Sequence, residues 1–183
     1  MYFDGAGQEY TDETLRIAIE RAKEDGLSLV IASNTGDTVF RALELGAGGL
    51  DIVCVTHMTG FRNPGENELE ESKRAELIER SVKVLTTTHV LAGVDRALRT
   101  QFGGIYPPEI IASTLRMFGQ GTKVCVEIAI MALDAGLIEY GKPIVAVGGS
   151  GRGADTALVL TPAHSNKVFE LKIHEILVKP ANW

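Results

Sequence analysis

The sequence is poor in cysteine, with two among 183 residues, and these two form neither a C-x-x-C pair nor a metal-ligand set. Cys54 lies in an apolar run and Cys125 in a helical pattern. We therefore predict two buried, reduced thiols, as is usual in cytoplasmic proteins. The spacing of the four histidines offers no helical metal pair, so the sequence predicts no metal site.

Basic residues are fewer than acidic residues. The chain has 18 Lys and Arg and 24 Asp and Glu, which gives a net charge of −6. This balance disfavours a nucleic-acid or anionic-membrane surface, although a locally positive site could still bind an anionic small molecule. No apolar run approaches about 18 residues in length, and the N-terminus lacks a basic region followed by an apolar one. We therefore expect a cytoplasmic protein without a membrane span or a secretory signal.

The apolar residues that are present follow strand and helix periods in alternation. An apolar run at 27–32, a helical pattern after Thr38 and a second apolar run at 51–55 form a βαβ unit. Such a unit implies parallel strands joined by a right-handed crossover. Further strands are predicted at 82–86, 144–147 and 156–160, and helices at 11–25, 66–80, 94–101, 107–118 and 122–135.

The C-terminal segment has a different period. Phe169, Leu171 and Ile173 alternate with polar residues, which predicts an antiparallel or edge strand. This strand could pair within the chain or across the axis of a homo-oligomer. Together the patterns predict one domain over residues 1–183 with a three-layer α/β/α fold. Its sheet would be mainly parallel, with an antiparallel C-terminal edge strand.

The stretch after the first apolar run has the composition of a phosphate-binding loop. It joins a buried strand to a helix, so its backbone N–H groups should point past the helix N-terminus, where an anion is favoured. Gly36 would let the backbone approach a ligand, whereas Asp37 would repel a phosphate unless it points away or binds a ribityl or sugar hydroxyl. An ordinary helix cap uses the same residue types and is the alternative. The candidate binding residues are Ser33, Asn34, Thr35, Gly36, Asp37 and Thr38.

Three further strand ends, at 56–60, 86–89 and 148–153, are also rich in glycine, small polar residues or histidine. Because ligands of open α/β sheets bind beyond the carboxyl ends of the parallel strands, we predict a small-molecule site at this edge. Thr56 and His57 are candidates to line it. His57 or His89 could serve acid–base chemistry, and a structural hydrogen-bonding role is the alternative for either.

The glycine-rich segment matches none of the common loop motifs. It is neither a Walker A nor a Rossmann sequence, and Arg152 stands where a hydrolase nucleophile elbow has glycine. Its N–H groups could wrap a phosphate or a planar ring with Arg152 as counter-ion, or the segment could be a flexible turn. The candidate residues here are Gly148, Gly149, Ser150, Gly151, Arg152 and Gly153.

Taken together, these segments resemble the C-terminal domain of pyruvate kinase. Residues 30–38 with the following helix, and the strand at 51–56, are similar to that domain's strand, Ser/Thr-Gly loop, helix and strand. Residues 148–156 are similar to its last loop and strand. The segments at 103–108 and 119–127 resemble the stand-alone, archaeal-type proteins of the pyruvate kinase C-terminal domain-like family.

This resemblance implies a single α/β/α domain that binds FMN, as the stand-alone proteins do. It does not imply kinase activity, which in pyruvate kinase belongs to a separate barrel domain. The family loop commonly has Arg after the glycine, where this chain has Asp37. That difference argues against carrying over the family's sugar-bisphosphate effector site.

The leading hypothesis is a flavin-binding protein whose 33–38 loop holds the phosphate of FMN. Thr56, His57 and the 148–153 loop would line the ribityl chain or the ring. One alternative is a non-catalytic module that senses a phosphorylated metabolite, and another is a hydrolase that uses Ser150. No residue indicates the reaction of a flavin-dependent oxidoreductase, so the catalytic residues stay unassigned.

Overall fold

A mixed β-sheet lies at the centre of the computed structural model, which describes residues 1–183. Its strands are β1 (Tyr2–Phe3), β2 (Ser28–Ala32), β3 (Ile52–Val55), β4 (Lys83–Leu85), β5 (Ile144–Gly148), β6 (Thr156–Thr161) and β7 (Lys172–Pro180). They lie side by side in the order β1-β7-β6-β5-β2-β3-β4. All neighbours pair in parallel except β6, which is antiparallel to β5 and to β7. The prediction of a mainly parallel sheet is confirmed.

The middle strands are apolar throughout because both faces of the sheet are covered. Every residue of β3 and β5 is buried, and Leu29, Val30 and Ile31 of β2 have no exposed surface. Leu29 and Ile31 belong to one apolar core, whereas Val30 belongs to the other. Successive strand residues point to opposite faces, so a continuous apolar run is what a sheet with two covers requires.

Helices form both covering layers. One core contains Leu15 and Val39, from the first and second helices of the chain. The other core consists mainly of residues from the long sixth helix and the strands that it covers. The predicted α/β/α layering is confirmed, and none of the helices has the length and hydrophobicity needed to cross a bilayer. The helices are α1 (Thr11–Asp25), α2 (Asp37–Ala42), α3 (Glu71–Glu79), α4 (Val94–Phe102), α5 (Pro107–Arg116) and α6 (Gln120–Asp134), with a π-helical turn at Leu43–Ala47 after α2.

The helix predicted at 66–80 is shorter than expected, since α3 begins only at Glu71. The preceding residues form turns instead. Glu66 N–H donates to the carbonyl of Asn63, and the side-chain oxygen of Asn67 accepts a bond from Leu69 N–H at 2.9 Å. Such a side-chain bond to a nearby backbone N–H competes with helix formation. The polar composition alone did not reveal it.

The prediction of a strand at 169–173 is wrong in its first half. Residues Ser165–Glu170 form a 3₁₀ helix, and β7 begins at Lys172 and continues to Pro180. Val168 and Leu171, three residues apart, pack against the apolar core, whereas Phe169 is 88% exposed. The partly buried residues Val168 and Leu171 are therefore spaced by three, as in a 3₁₀ turn, although the sequence around Phe169 also alternates with the period of a strand. The antiparallel pairing is confirmed, because β7 pairs with β6 within the chain.

Both cysteines are buried and free, as predicted. The Cys54 thiol donates to the carbonyl of Ser33, and the Cys125 thiol contacts the carbonyl of Ala146. Burial raises the pKa of Cys54 to about 12 and also raises the pKa of Cys125. The thiolate form of either residue is therefore disfavoured, and both act as small apolar side chains.

The contact between α6 and β6 gives a stability prediction. A Cβ on Gly121 would lie 2.1 Å from the hydroxyl oxygen of Thr156 and 2.9 Å from a carboxylate oxygen of Asp155. We expect Gly121→Ala to lower the free energy of unfolding by about 1–3 kcal/mol through overpacking. Gly48→Ala is the matched control, because Gly48 has φ −54° and nothing within 4 Å of its Cβ position. Urea unfolding compares the stability of the two variants. Equal midpoints would show that the contact between α6 and β6 at Gly121 leaves room for a Cβ.

Candidate functional site

A cavity of about 700 Å³ opens at the carboxyl ends of β2, β3 and β5. Eleven of the fourteen candidate binding residues line it, from three separate loops, and the acid–base candidate His89 lines it as well. The lining residues from the sequence prediction are Ser33, Asn34, Thr35, Asp37, Thr38, Thr56, His57, Gly149, Gly151, Arg152 and Gly153, while Gly36, Gly148 and Ser150 do not line it.

The loop between β2 and α2 has a fixed shape with free N–H groups. Its first residue, Ser33, donates its N–H to Val55 and accepts a bond at its hydroxyl from the N–H of Thr38, at 3.2 Å. None of the four backbone N–H groups at 34–37 donates to a protein acceptor. The loop is therefore held at its two ends, and its middle N–H groups are available to a ligand.

Gly36 has a different role from the one predicted. Its φ is 87°, a conformation that favours glycine. Its Cβ position, however, faces side-chain carbons of Leu69 at 3.1 Å and Phe40 at 3.3 Å rather than the cavity. Glycine at this position thus allows the turn and the packing of the loop against α3. A substitution here would test folding and not ligand binding.

Asp37 lies beside the cavity with its charge balanced. Lys73 donates to one carboxylate oxygen at 2.8 Å, and the hydroxyl of Thr35 donates to the other at 2.7 Å. The Lys73 bond, with the Thr35 bond and the charges of Lys73 and Arg152, holds the pKa of Asp37 below its usual value. The carboxylate is therefore ionised at neutral pH, and Lys73 offsets much of its repulsion toward an anion.

The glycine-rich loop between β5 and β6 is anchored by a buried carboxylate. Asp155 has no exposed surface and accepts bonds from the N–H of Ser150 at 3.1 Å and the hydroxyl of Thr156 at 2.8 Å. The N–H of Ala154 donates to the hydroxyl of Thr11, which joins the loop to α1. These bonds hold the loop in place, so the interpretation as an unanchored flexible turn does not fit.

Small residues in this loop are required by close backbone contacts. A Cβ on Gly148 would lie 2.9 Å from the carbonyl oxygen of Gly121, and one on Gly149 would lie 2.6 Å from that of Gly153. The N–H groups of Gly149, Gly151, Arg152 and Gly153 have no protein acceptor. The guanidinium of Arg152 forms no ion pair within 4 Å.

Ser150 does not have the environment of a nucleophile. Its hydroxyl oxygen is buried without a hydrogen-bond partner, and the residue does not line the cavity. No histidine bonds to it, so the base that would activate the hydroxyl is missing from its hydrogen bonds. The hydrolase alternative therefore has no support from the geometry.

The end of β3 brings several polar and titratable groups to the cavity. The hydroxyl of Thr56 is 2.6 Å from that of Thr86, which ties β3 to the end of β4. Nδ1 of His57 is 2.6 Å from a carboxylate oxygen of Glu68. Arg62 contacts the other oxygen of Glu68 at 3.0 Å, and His89 also lines the cavity.

One face of α6 closes the cavity with apolar side chains and one buried ion pair. Val124, Ile128 and Met131 line the wall, and Glu127 lies among them. The carboxylate of Glu127 pairs with Lys123, and its other oxygen accepts a bond from the N–H of Leu91 at 3.0 Å. Burial lowers the pKa of Lys123 from its ordinary value, although the charge of Glu127 opposes this shift.

Among the lining residues that sequence reasoning missed are Glu68, Glu127, Gln8, and Thr11 and Asp12 at the start of α1. Glu68 lies in an acidic stretch that reads as a solvated helix start, yet its side chain is only 15% exposed. A signal did exist for Glu127, because Lys123 and Glu127 are charged residues four apart in an otherwise apolar helix. Nothing local to the sequence indicated Glu68.

The buried ion pair gives a second stability prediction. Glu127→Gln should lower the free energy of unfolding by about 3–5 kcal/mol, because it leaves the Lys123 ammonium buried without its counter-charge. The double variant Lys123→Met/Glu127→Gln should recover most of that loss, since the amide oxygen can still accept from Leu91.

Urea unfolding measures all of these variants. The matched control is Glu76→Gln, which breaks the exposed pair with Arg80 and should change the unfolding free energy by no more than about 1 kcal/mol. A single variant at position 127 that is as stable as the double variant would contradict the charge balance described for this pair.

A comparison with known protein families agrees with this architecture. The family model described as "Pyruvate kinase, alpha/beta domain" matches residues 12–160 of the 183. The matched region runs from α1 to β6, so it includes the 33–38 loop, the 148–153 loop and the sheet edge that carries the cavity. The chain therefore belongs to the pyruvate kinase alpha/beta domain family.

Proposed function

We propose that this protein binds FMN in the cavity at the carboxyl edge of the sheet. The proposal rests on two loops that line the same cavity and have free backbone N–H groups, at 34–37 in one and at 149 and 151–153 in the other. Free N–H groups from two loops are suited to the several oxygens of one phosphate. Arg152, which lines the cavity without an ion pair, would supply the counter-charge.

The charges around the cavity favour one phosphate group over two. Arg41 is bonded to Asp12 and Glu44, and Arg62 is bonded to Glu68. The remaining guanidinium that lines the cavity is that of Arg152. A single unpaired cation suits a phosphate monoester such as FMN better than a sugar bisphosphate, which would bring a second charge to be balanced.

The far side of the cavity could receive the ribityl chain and the ring. A volume of about 700 Å³ is within the range of small-molecule sites, roughly 300–1,000 Å³. Val124, Ile128 and Met131 offer an apolar wall, and His57 lines the same cavity from the end of β3. In this arrangement the protein supplies binding and orientation, and a bound flavin would supply the redox chemistry.

A second candidate function is a non-catalytic module that senses a phosphorylated metabolite. The observation in its favour is the polarity of the lining, where five of 25 residues are hydrophobic. A small, highly hydroxylated phosphate ester would suit these polar groups, whereas a flavin ring needs apolar contact on its faces. Both candidate ligands would place a phosphate at the two loops, and they differ only in the group that occupies the rest of the cavity.

The proposed phosphate contact is tested by removing the positive charge of Arg152. Arg152→Gln should weaken FMN binding by about tenfold to a hundredfold, since it removes a charge-assisted hydrogen bond of on the order of 1.5–3 kcal/mol. Lys172→Gln is the control, because it removes the same charge from an exposed residue at the start of β7 that forms no ion pair. Quenching of flavin fluorescence measures the dissociation constant.

Asp37→Asn should have the opposite effect and tighten binding. It removes a negative charge from the cavity lining, and it leaves the Lys73 ammonium without its counter-charge, so that the ammonium can attract the phosphate. Wild-type protein that does not quench micromolar FMN would overturn the flavin proposal. A thermal-shift panel of sugar phosphates then tests the sensor alternative, since a ligand at 100 times its dissociation constant adds about 2.7 kcal/mol of stability.

A further inference from the structure

Two imidazole rings meet in the cavity with most of their nitrogens free. His57 and His89 both line it, and their ring centroids are 5.3 Å apart. Nε2 of His57 and both ring nitrogens of His89 make no hydrogen bond to a protein group. The other two histidines do not line the cavity: Nδ1 of His164 bonds to Asp134, and Nε2 of His174 bonds to Thr161.

The orientation of His57 is fixed from two sides. Its Nδ1 is 2.6 Å from a carboxylate oxygen of Glu68, and its ring stacks on that of Phe61 with centroids 3.7 Å apart. A carboxylate only accepts hydrogen bonds, so it keeps the proton on Nδ1 and leaves the lone pair on Nε2. A histidine held in this way by a carboxylate is the arrangement that general bases use in many enzymes.

His89 is suited to the complementary role. It is half-buried, and desolvation lowers its pKa from the ordinary value, with the charge of Glu127 opposing this effect and that of His57 adding to it. A neutral imidazole carries one N–H and can donate it to a ligand oxygen without bringing a positive charge. The charged and titratable groups around the two rings are Glu68, Arg62, Arg96, Glu127 and Lys123.

We propose that His57 and His89 form an acid–base pair that acts on the ligand of this cavity, with Glu68 as the positioning residue of His57. At Nε2, His57 takes the proton of a C–H or N–H bond next to a carbonyl group of the ligand, and the electron pair of that bond moves to the carbonyl oxygen. Return of the proton reverses this step, and the imidazolium of His57 is balanced by Glu68 in between. His89 donates its N–H to a ligand oxygen. The chemistry calls for a phosphate monoester that carries a carbonyl oxygen, a class that includes FMN and keto phosphates.

This inference rests on the proposed function only in placing the ligand's phosphate at the 33–38 and 148–153 loops. It is tested in the native chain with diethyl pyrocarbonate, which acylates the free lone pair of a neutral imidazole and releases carbon dioxide and ethanol. Peptide mass spectrometry then reads the rate at each of the four histidines. His164 and His174 serve as internal references, because their partners are Asp134 and Thr161 and their rates should not change in the Glu68 variants.

We expect His57 to be acylated readily in the wild-type protein and several-fold more slowly in Glu68→Gln. A glutamine amide can donate to Nδ1, which moves the ring proton to Nε2 and removes the reactive lone pair. Glu68→Asp, whose shorter carboxylate withdraws from Nδ1, should act in the same direction. Arg62→Gln removes the other partner of Glu68 and should leave the His57 rate unchanged, with circular dichroism as the folding control.

The pH dependence of the reaction provides the readout for His89. Because burial lowers its pKa, its acylation should reach half of its maximal rate at a pH below the ordinary histidine value of about 6.5. An unreactive His57, or a His57 rate that does not depend on Glu68, would overturn the proposal. If His57 behaves as expected and excess FMN does not protect it, the acid–base pair stands and the flavin assignment fails.

Discussion

The register of three parallel strands determines where everything else in this molecule lies. Ile31 of β2 is aligned with Cys54 of β3 on one side and with Val147 of β5 on the other. Because the three strands are parallel and in register, they end at the same level, and the loops that follow them lie at one edge of the sheet. Each strand is buried on both faces, so a shift of one residue would move apolar side chains to the wrong core.

Compensated charge gives this edge its chemical character. The cavity lining includes several ionised side chains, yet nearly all of them have partners: Asp37 with Lys73, Asp12 with Arg41, Glu68 with Arg62 and His57, and Glu127 with Lys123. Pairing keeps the site near neutrality and orders its side chains before any ligand arrives. What is left over is one guanidinium and two sets of free N–H groups, which together match one anionic group.

Local patterns in the sequence predicted the sheet except for its two-residue strand β1, most helix bounds and the loops that form the cavity. These features depend on period and on residues adjacent in the chain. The loop at 33–38 could be located from its composition, but the role of Gly36 could not, since the contact with Leu69 joins segments far apart in sequence. Glu68 was missed for the same reason. It approaches His57 only because the 58–67 segment folds back, and no periodic pattern records that turn.

In the proposed complex, the free N–H groups of the two loops hold the phosphate of the bound ligand. Amide proton–nitrogen NMR spectra recorded while FMN is added to the native protein test it most directly. We expect the largest shifts at Asn34–Asp37, Gly149 and Gly151–Gly153, with smaller shifts at His57 and along the cavity face of α6. Unshifted amides in both loops, with or without shifts elsewhere, would contradict it.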